Sequence, residues 1–224
     1  HQETGNWASY ARDRQVLAWC RKQGVTWVQT PQDGVVRSLK DRDDRGKIWD
    51  QRMSDPPVRL AEISPLRVTA EAALSALPTA FAQSHLAPWH EHASTDSCPG
   101  RQPGGRREGI TLLRSFLDGR GLHYRSHMSS PGTSENSCSR LSAHLAWGSL
   151  SLREVLHAVW QARKEWAAEN GHPHRAMMLA SLKSFESRLH WRCHFMQKLE
   201  SEPEIEFRCL HPATRGVRNE DTFT

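Results

Sequence analysis

Two short stretches carry the residue types that could do chemistry. The first, "SCSRLSAHLAWGSLS" at residues 137–151, crowds hydroxyls, a thiol and a guanidinium into a segment whose apolar residues keep a helical spacing. A helix start presents unpaired backbone N–H groups and a partial positive charge. Adding Ser139, Arg140 and Ser142 to such a start makes a cradle for an anion, a phosphate above all. The plain alternative is that the serines cap helices and Arg140 sits in water. The second stretch, "FESRLHWRCHF" at 185–195, sets Arg188 and Arg192 one helical turn apart with Trp191 between them and Phe195 beyond. That stripe could hold a backbone phosphate and stack a base, or it could be a solvated basic face.

Other reactive residues lack the partners their chemistry needs. The five cysteines, Cys20, Cys98, Cys138, Cys193 and Cys209, lie far apart with no CxxC spacing, so neither a disulfide framework nor a zinc site is signalled. The histidines of "HEH" at 90–92 and "HPH" at 172–174 fall in Pro-rich connections without Cys or carboxylate partners at ligand spacing. They read as loop histidines, and no metal is expected. No hydrolytic triad is signalled. Free thiols point to a reducing cytoplasm, and no apolar run reaches the roughly 20 residues that a membrane span requires. Thirty Lys and Arg against 25 Asp and Glu give a formal charge of +5, which suits a polyanionic partner without requiring one. Nine tryptophans weigh towards an aromatic-lined cavity or face.

The elements that must position these residues can be read from their punctuation. "YARDRQVLAWCRKQG" predicts a helix with Val16, Leu17 and Cys20 on one face, stopped at Gly24, and a short strand follows over Val25 to Val28. Residues 33–57 are rich in turn residues and alternating charge, and Pro56-Pro57 closes them. Residues 58–107 read as an interdomain linker with one short helix over Thr69 to Leu77. From about Glu108 the pattern is helical throughout. "REGITLLRSFLDGRG" spaces Ile110, Leu113, Phe116 and Leu117 as a helix face, and "HYRSHMSSPGTSENS" reads as a loop. Ser139 is expected to cap a helix that turns Leu141, Leu145 and Ala146 inward and ends at Gly148. Ser151 and Glu154 form a capping box for a helix burying Val155, Leu156, Val159 and Trp160. The longest helix is expected over Leu179 to Leu199, with Leu182, Phe185, Leu189, Cys193, Met196 and Leu199 as its core stripe.

The order and content of these segments resemble the FAD-binding helical domain of the DNA photolyase and cryptochrome family. The resemblance rests on Tyr124 in "LHY", on "CSRLSAHLAWGSLSLREV", where the family has Thr-Ser-x-Leu-Ser, an apolar helix, Gly and Leu-Ser, and on "FESRLHWRCHF", where it has a Trp-Arg pair. It runs in patches from Tyr10 to about Asp221. "ETGNWASYARDRQV" looks like the closing helix of the family's α/β antenna domain, a doubly wound parallel sheet. The implied fold is therefore mostly α. Residues 1–57 would be the tail of the antenna domain, 58–107 the linker, and 108–224 the first part of a truncated helical FAD-binding domain. The chain starts in mid-pattern at His1 and stops at "RGVRNEDTFT", ahead of the family's second flavin half-site, so it reads as a portion of a longer protein.

What the resemblance implies is light-driven electron transfer from reduced FAD to cyclobutane pyrimidine dimers in DNA. Tyr124 and the run Cys138, Ser139, Arg140, Leu141 and Ser142 would hold the flavin's pyrophosphate and ribose, and Phe185 would lie beside the flavin. Trp191 would stack against a flipped dimer. Arg192 would contact DNA phosphate, with Arg188 and Phe195 on the same DNA-facing stripe. Two positions depart from the family pattern. Cys138 stands for the usual Thr, and Arg188 for the Glu that many members use to hydrogen-bond the damaged bases. An antenna chromophore would belong to the full-length protein, expected to be a cytoplasmic monomer. Two other readings stay open: a cryptochrome-like blue-light photosensor, towards which Arg188 leans, and a non-catalytic helical DNA-binding fragment.

Overall fold

A computed structural model describes residues 7–31, 33–41, 43–57, 98, 100–214 and 216–217. The chain divides into two compact units, His1–Pro57 with Gly104–Thr224, and Val58–Pro103. Of the second unit only residue 98 and residues 100–103 are described, so the helix expected over Thr69 to Leu77 lies outside the described residues. The first unit is mostly helical, and no strand occurs among the described residues. No described helix is long and apolar enough to cross a membrane.

Among the described residues the α-helices in chain order are α1 (Trp7–Gln23), α2 (Asp44–Ser54), α3 (Arg106–Asp118), α4 (Tyr124–His127), α5 (Pro131–Ser137), α6 (Ser142–Ala146), α7 (Leu152–Ala168) and α8 (Arg175–Ser201). Short 3₁₀ turns lie at Arg120–His123, Pro203–Glu206 and Pro212–Thr214. α3, α7 and α8 follow the apolar periodicity closely. Leu113, Phe116 and Leu117 of α3 pack with Val155, Leu156 and Val159 of α7 and with Leu182, Phe185, Leu189 and Cys193 of α8 in one buried cluster. Phe116 and Phe185 meet at 4.7 Å between ring centroids. Ser151 caps α7 by accepting the Glu154 N–H at 3.1 Å. The Glu154 carboxylate reaches back to the Ser151 backbone, completing the expected capping box, and also binds Arg106, whose guanidinium holds it below its ordinary value and pins the start of α7 to the start of α3.

The structure corrects several expectations, each for an identifiable reason. The strand over Val25 to Val28 is absent, and Val28 stands 74% exposed. The charged stretch before Pro56-Pro57 holds α2. Asp44, Lys47 and Asp50 are exposed, Arg52 donates to the Val35 carbonyl at 2.7 Å, and Trp49 and Met53, four residues apart, enter the main core. The two stretches read as separate domains therefore share one core. Trp49 packs so tightly on Gly34 that a β-carbon there would sit 1.9 Å from the indole, which fixes Gly34 as a close-approach glycine.

The stretch read as a loop, 123–137, contains α4 and α5. Pro131 opens α5 at the position where its missing N–H costs nothing. Tertiary bonds fix these short helices: the Ser181 hydroxyl accepts the Arg125 N–H at 3.3 Å and donates to the Leu122 carbonyl at 2.8 Å. In α6, Leu141 and Leu145 are buried as expected but Ala146 is exposed. In α7, Trp160 is only half-buried, its indole N–H turned to Glu186.

α8 starts four residues earlier than expected and runs for 27 residues. Its buried stripe ends on Gln197 rather than Met196, which is half-buried along with Leu199. The reason is what covers it. The Gln197 side chain accepts the Val36 N–H at 2.7 Å and donates to the Val36 carbonyl at 2.9 Å, so an amide is needed to satisfy backbone that an apolar side chain would strand. Gln197→Leu should accordingly lower the unfolding free energy by about 1–3 kcal/mol in a urea titration. An unchanged midpoint would mean that the 33–41 segment is not held to α8 in solution.

Candidate functional site

The best-supported site lies along α8, where a groove of about 450 Å³ runs from Ala180 to Trp191. Four residues on one helical stripe, Ala180, Ser184, Ser187 and Trp191, line it at spacings of three and four. Lys183 and Arg188 stand at its sides, and Arg125 of α4 enters from across. No carboxylate lines the groove among the described residues. Its walls are hydroxyls and cations, and its far end is an indole, 47% exposed, with the Arg188 guanidinium 5.1 Å from the ring centroid. Phe195 continues this face, 60% exposed and 5.8 Å from Trp191. Such a surface attracts phosphates and offers a flat ring to a base.

Tyr124 opens α4 beside this groove. It is buried with its ring edge-on to Phe116 at 5.5 Å and to Phe185 at 5.6 Å. Burial pushes its phenol up, Cys138 adds to the rise and Arg188 opposes it. Cys138 and Arg188, distant in sequence, thus each lie within electrostatic reach of Tyr124. Burial also pushes the Cys138 thiol up, against the pull of Arg120 and Arg140, which favours its protonated form.

The run 138–142 splits into an inner and an outer set. Leu141 is core, and Ser139 is buried with its hydroxyl accepting the Leu141 N–H at 3.4 Å. Arg140 and Ser142 face outward. Arg140 has φ of +62°, a left-handed conformation costing a non-glycine residue about 1–2 kcal/mol, and it turns the chain sharply between the two serines. The expected helix-start cradle needs correction here. The helix begins only at Ser142, has five residues, and has no side-chain cap at its start. It is too short for its dipole to matter, so any anion held here would depend on side chains.

Arg120 is the residue that sequence reasoning passed over. Its guanidinium donates to the Leu112 carbonyl at 3.1 Å, to the Ser139 carbonyl at 3.2 Å, to the Cys138 carbonyl and to the Ser115 hydroxyl at 3.1 Å. One buried cation thus ties the motif turn to α3. Lys183, Ser184 and Ser187 could have been found by extending the Arg188–Trp191 stripe two turns towards the start of the helix. Arg125 could not, because only the fold brings α4 to α8.

Arg192 is placed differently from its neighbours. It binds the Asp33 carboxylate and the Leu145 carbonyl at 3.4 Å, so it clamps the 33–41 segment and α6 to α8. The predicted residues therefore form two groups. Cys138, Arg140, Ser142, Arg188, Trp191 and Phe195 keep an edge or a face towards the outside, whereas Tyr124, Ser139, Leu141, Phe185 and Arg192 are engaged within the protein.

Of the residues that the resemblance would assign to a flavin dinucleotide, Arg140, Ser142 and Arg188 are exposed, and cations and hydroxyls are the groups that pair with phosphates. Phe185 and Leu141 are buried in the core. The histidines at 172–174 make local contacts, His172 with Trp166 at 5.0 Å between centroids, and those at 90–92 lie outside the described residues. No cluster of three potential metal ligands occurs among the described residues. No protein-family model, curated protein or solved structure matches the chain.

Proposed function

We propose that the chain is part of a flavoprotein of the DNA photolyase and cryptochrome type that repairs pyrimidine dimers in DNA with light. The observation that supports this reading is a cationic groove, lined by Arg125, Lys183 and Arg188, that ends in an exposed tryptophan, with Tyr124 next to Arg125 in the chain. Reduced FAD, when bound, supplies the electron for splitting the dimer. The chain's own residues bind and orient. Arg140 and Ser142 hold the pyrophosphate, with Tyr124 and Cys138 at its edge. Lys183 and Arg125 draw in the DNA backbone, and Trp191 receives an extruded base.

A specific observation favours the photosensor as second reading. Arg188 stands where many family members have Glu, and it lies over the face of Trp191, where the damaged base would stack. The DNA-binding fragment is distinguished by affinity for DNA without any for flavin.

Anisotropy of labelled oligonucleotides with and without a thymine dimer tests the proposal, with FAD titrated in parallel by quenching of its fluorescence. The dimer should be preferred, FAD should bind, and Trp191→Ala should weaken the dimer complex by about 1–3 kcal/mol with little change for undamaged DNA. Equal affinity for both oligonucleotides would refute repair. FAD binding with no DNA affinity would select the photosensor.

A further inference from the structure

A second groove, of about 610 Å³, lies between α7 and α8. Its floor is apolar, made by Trp160, Ala167, Leu179 and Ala180, and its rim carries Arg163, Lys164 and Lys183. Ala180 and Lys183 line this groove and the one that ends at Trp191, so the two are continuous. Glu186 is taken up: it accepts the Trp160 indole N–H at 2.7 Å and pairs with Arg163. No carboxylate lines either groove among the described residues. Among the described residues, Lys164, Lys183, Arg125 and Arg188 make no ion pair.

We propose that this α7/α8 groove binds a single-stranded flank of DNA, continuing the strand whose end reaches Trp191. The inference rests on the nucleic-acid part of the reading above and not on flavin or on repair. Two features identify the occupant. The unpaired cations call for a polyanion.

The apolar floor then selects the single strand. A duplex would present phosphates to it and leave Leu179 and the Trp160 ring dehydrated against charge. Unstacked bases bury their faces on such a floor while their phosphates reach the rim.

The test uses the 224-residue chain and labelled oligothymidylates of about four and about twelve nucleotides, the ends of a common range of site sizes. The double variant Lys164→Gln/Lys183→Gln changes exposed side chains, and its melting curve confirms that it folds. Its affinity for the longer oligonucleotide should fall roughly tenfold, and the slope of log affinity against log salt should shrink by about 1.4, two phosphate contacts at about 0.7 each. Lys164→Gln alone should shrink the slope on the long probe by about 0.7, one phosphate contact. An unchanged salt slope, an equal loss on blunt duplex, or displacement of the oligonucleotide by polyglutamate at equal charge concentration would each overturn the proposal. Loss of dimer preference in the unaltered chain would sink the repair reading and leave this one standing. Unchanged binding in the double variant with dimer preference intact would do the reverse.

Discussion

Arg120→Met should lower the unfolding free energy by about 3–5 kcal/mol, one of the two largest single-residue effects expected in this chain. The methionine replaces the aliphatic stem and removes the fork. Three backbone carbonyls, of Leu112, Cys138 and Ser139, then lose their donor in a partly buried site, and the Ser115 hydroxyl loses its partner. Each bond to a charged donor is worth about 1.5–3 kcal/mol, but the four share one side chain and cannot be summed. Burial already pushes the Arg120 guanidinium down from its ordinary value, aided by the nearby Arg140, which signals how far it has been taken out of water. Arg120→Lys should recover only part of the loss, because a single ammonium cannot reach carbonyls on both α3 and the 138–139 turn. The measurement is a urea titration of all three proteins. A Met variant within 1 kcal/mol of the unaltered chain would mean that the turn stands without Arg120.

Arg120 has a functional consequence as a positioning residue. The turn it holds is the one that presents Arg140 and Ser142 outward, and Arg140 sits in a left-handed conformation that its surroundings must enforce. If the outer set holds a pyrophosphate, the folded fraction of Arg120→Met should bind FAD more weakly although position 120 never touches it. Arg120→Lys should restore binding in proportion to stability. A purely structural Arg120 would leave the affinity of the folded fraction unchanged.

How much of this was legible before folding depends on which interaction fixed each feature. Leu113, Phe116, Leu156, Leu182 and Leu189 were readable because a helix that buries one face must repeat its apolar residues at three and four, and nothing competes with that rule in α3, α7 and α8. α2 was not readable, since its apolar residues are only Ile48, Trp49 and Met53 amid charges, and Trp49 and Met53 enter the core shared with α3, α7 and α8. α4 is similar. Its sequence is that of a loop, and the Ser181 hydroxyl, 56 positions away, holds it.

The site divides along the same line. The stripe Arg188, Trp191 and Phe195 was visible because it is local to one helix. Its partners, Arg125 and the Cys138 turn, come from chain crossings that no spacing encodes. The same limit explains Arg192. One turn from Arg188, it shares that residue's periodicity, yet Asp33 reaches it from the N-terminal segment and turns it to structural use. Periodicity assigns a face; only the fold says what covers it.

α8 therefore offers its own control, in residues two positions apart. Leu189 is 4% exposed in the shared core and Trp191 is 47% exposed on the groove, as expected for side chains about 200° apart around the helix. Leu189→Ala should cost about 2–5 kcal/mol of stability, the transfer of its methyl groups plus the cavity they leave among Trp49, Leu145 and Val155 of the same cluster. The affinity of the remaining folded protein for oligonucleotide should stay within about twofold, since Leu189 faces away from the groove and the two sites are energetically independent. Trp191→Ala should show the opposite pattern, little loss of stability with a loss of binding. Urea unfolding and anisotropy on the same preparations separate the two effects. Should Trp191→Ala unfold the chain while Leu189→Ala weakens binding in its folded fraction, the assignment of faces on α8 would be reversed, and with it the groove as the place where a base is received.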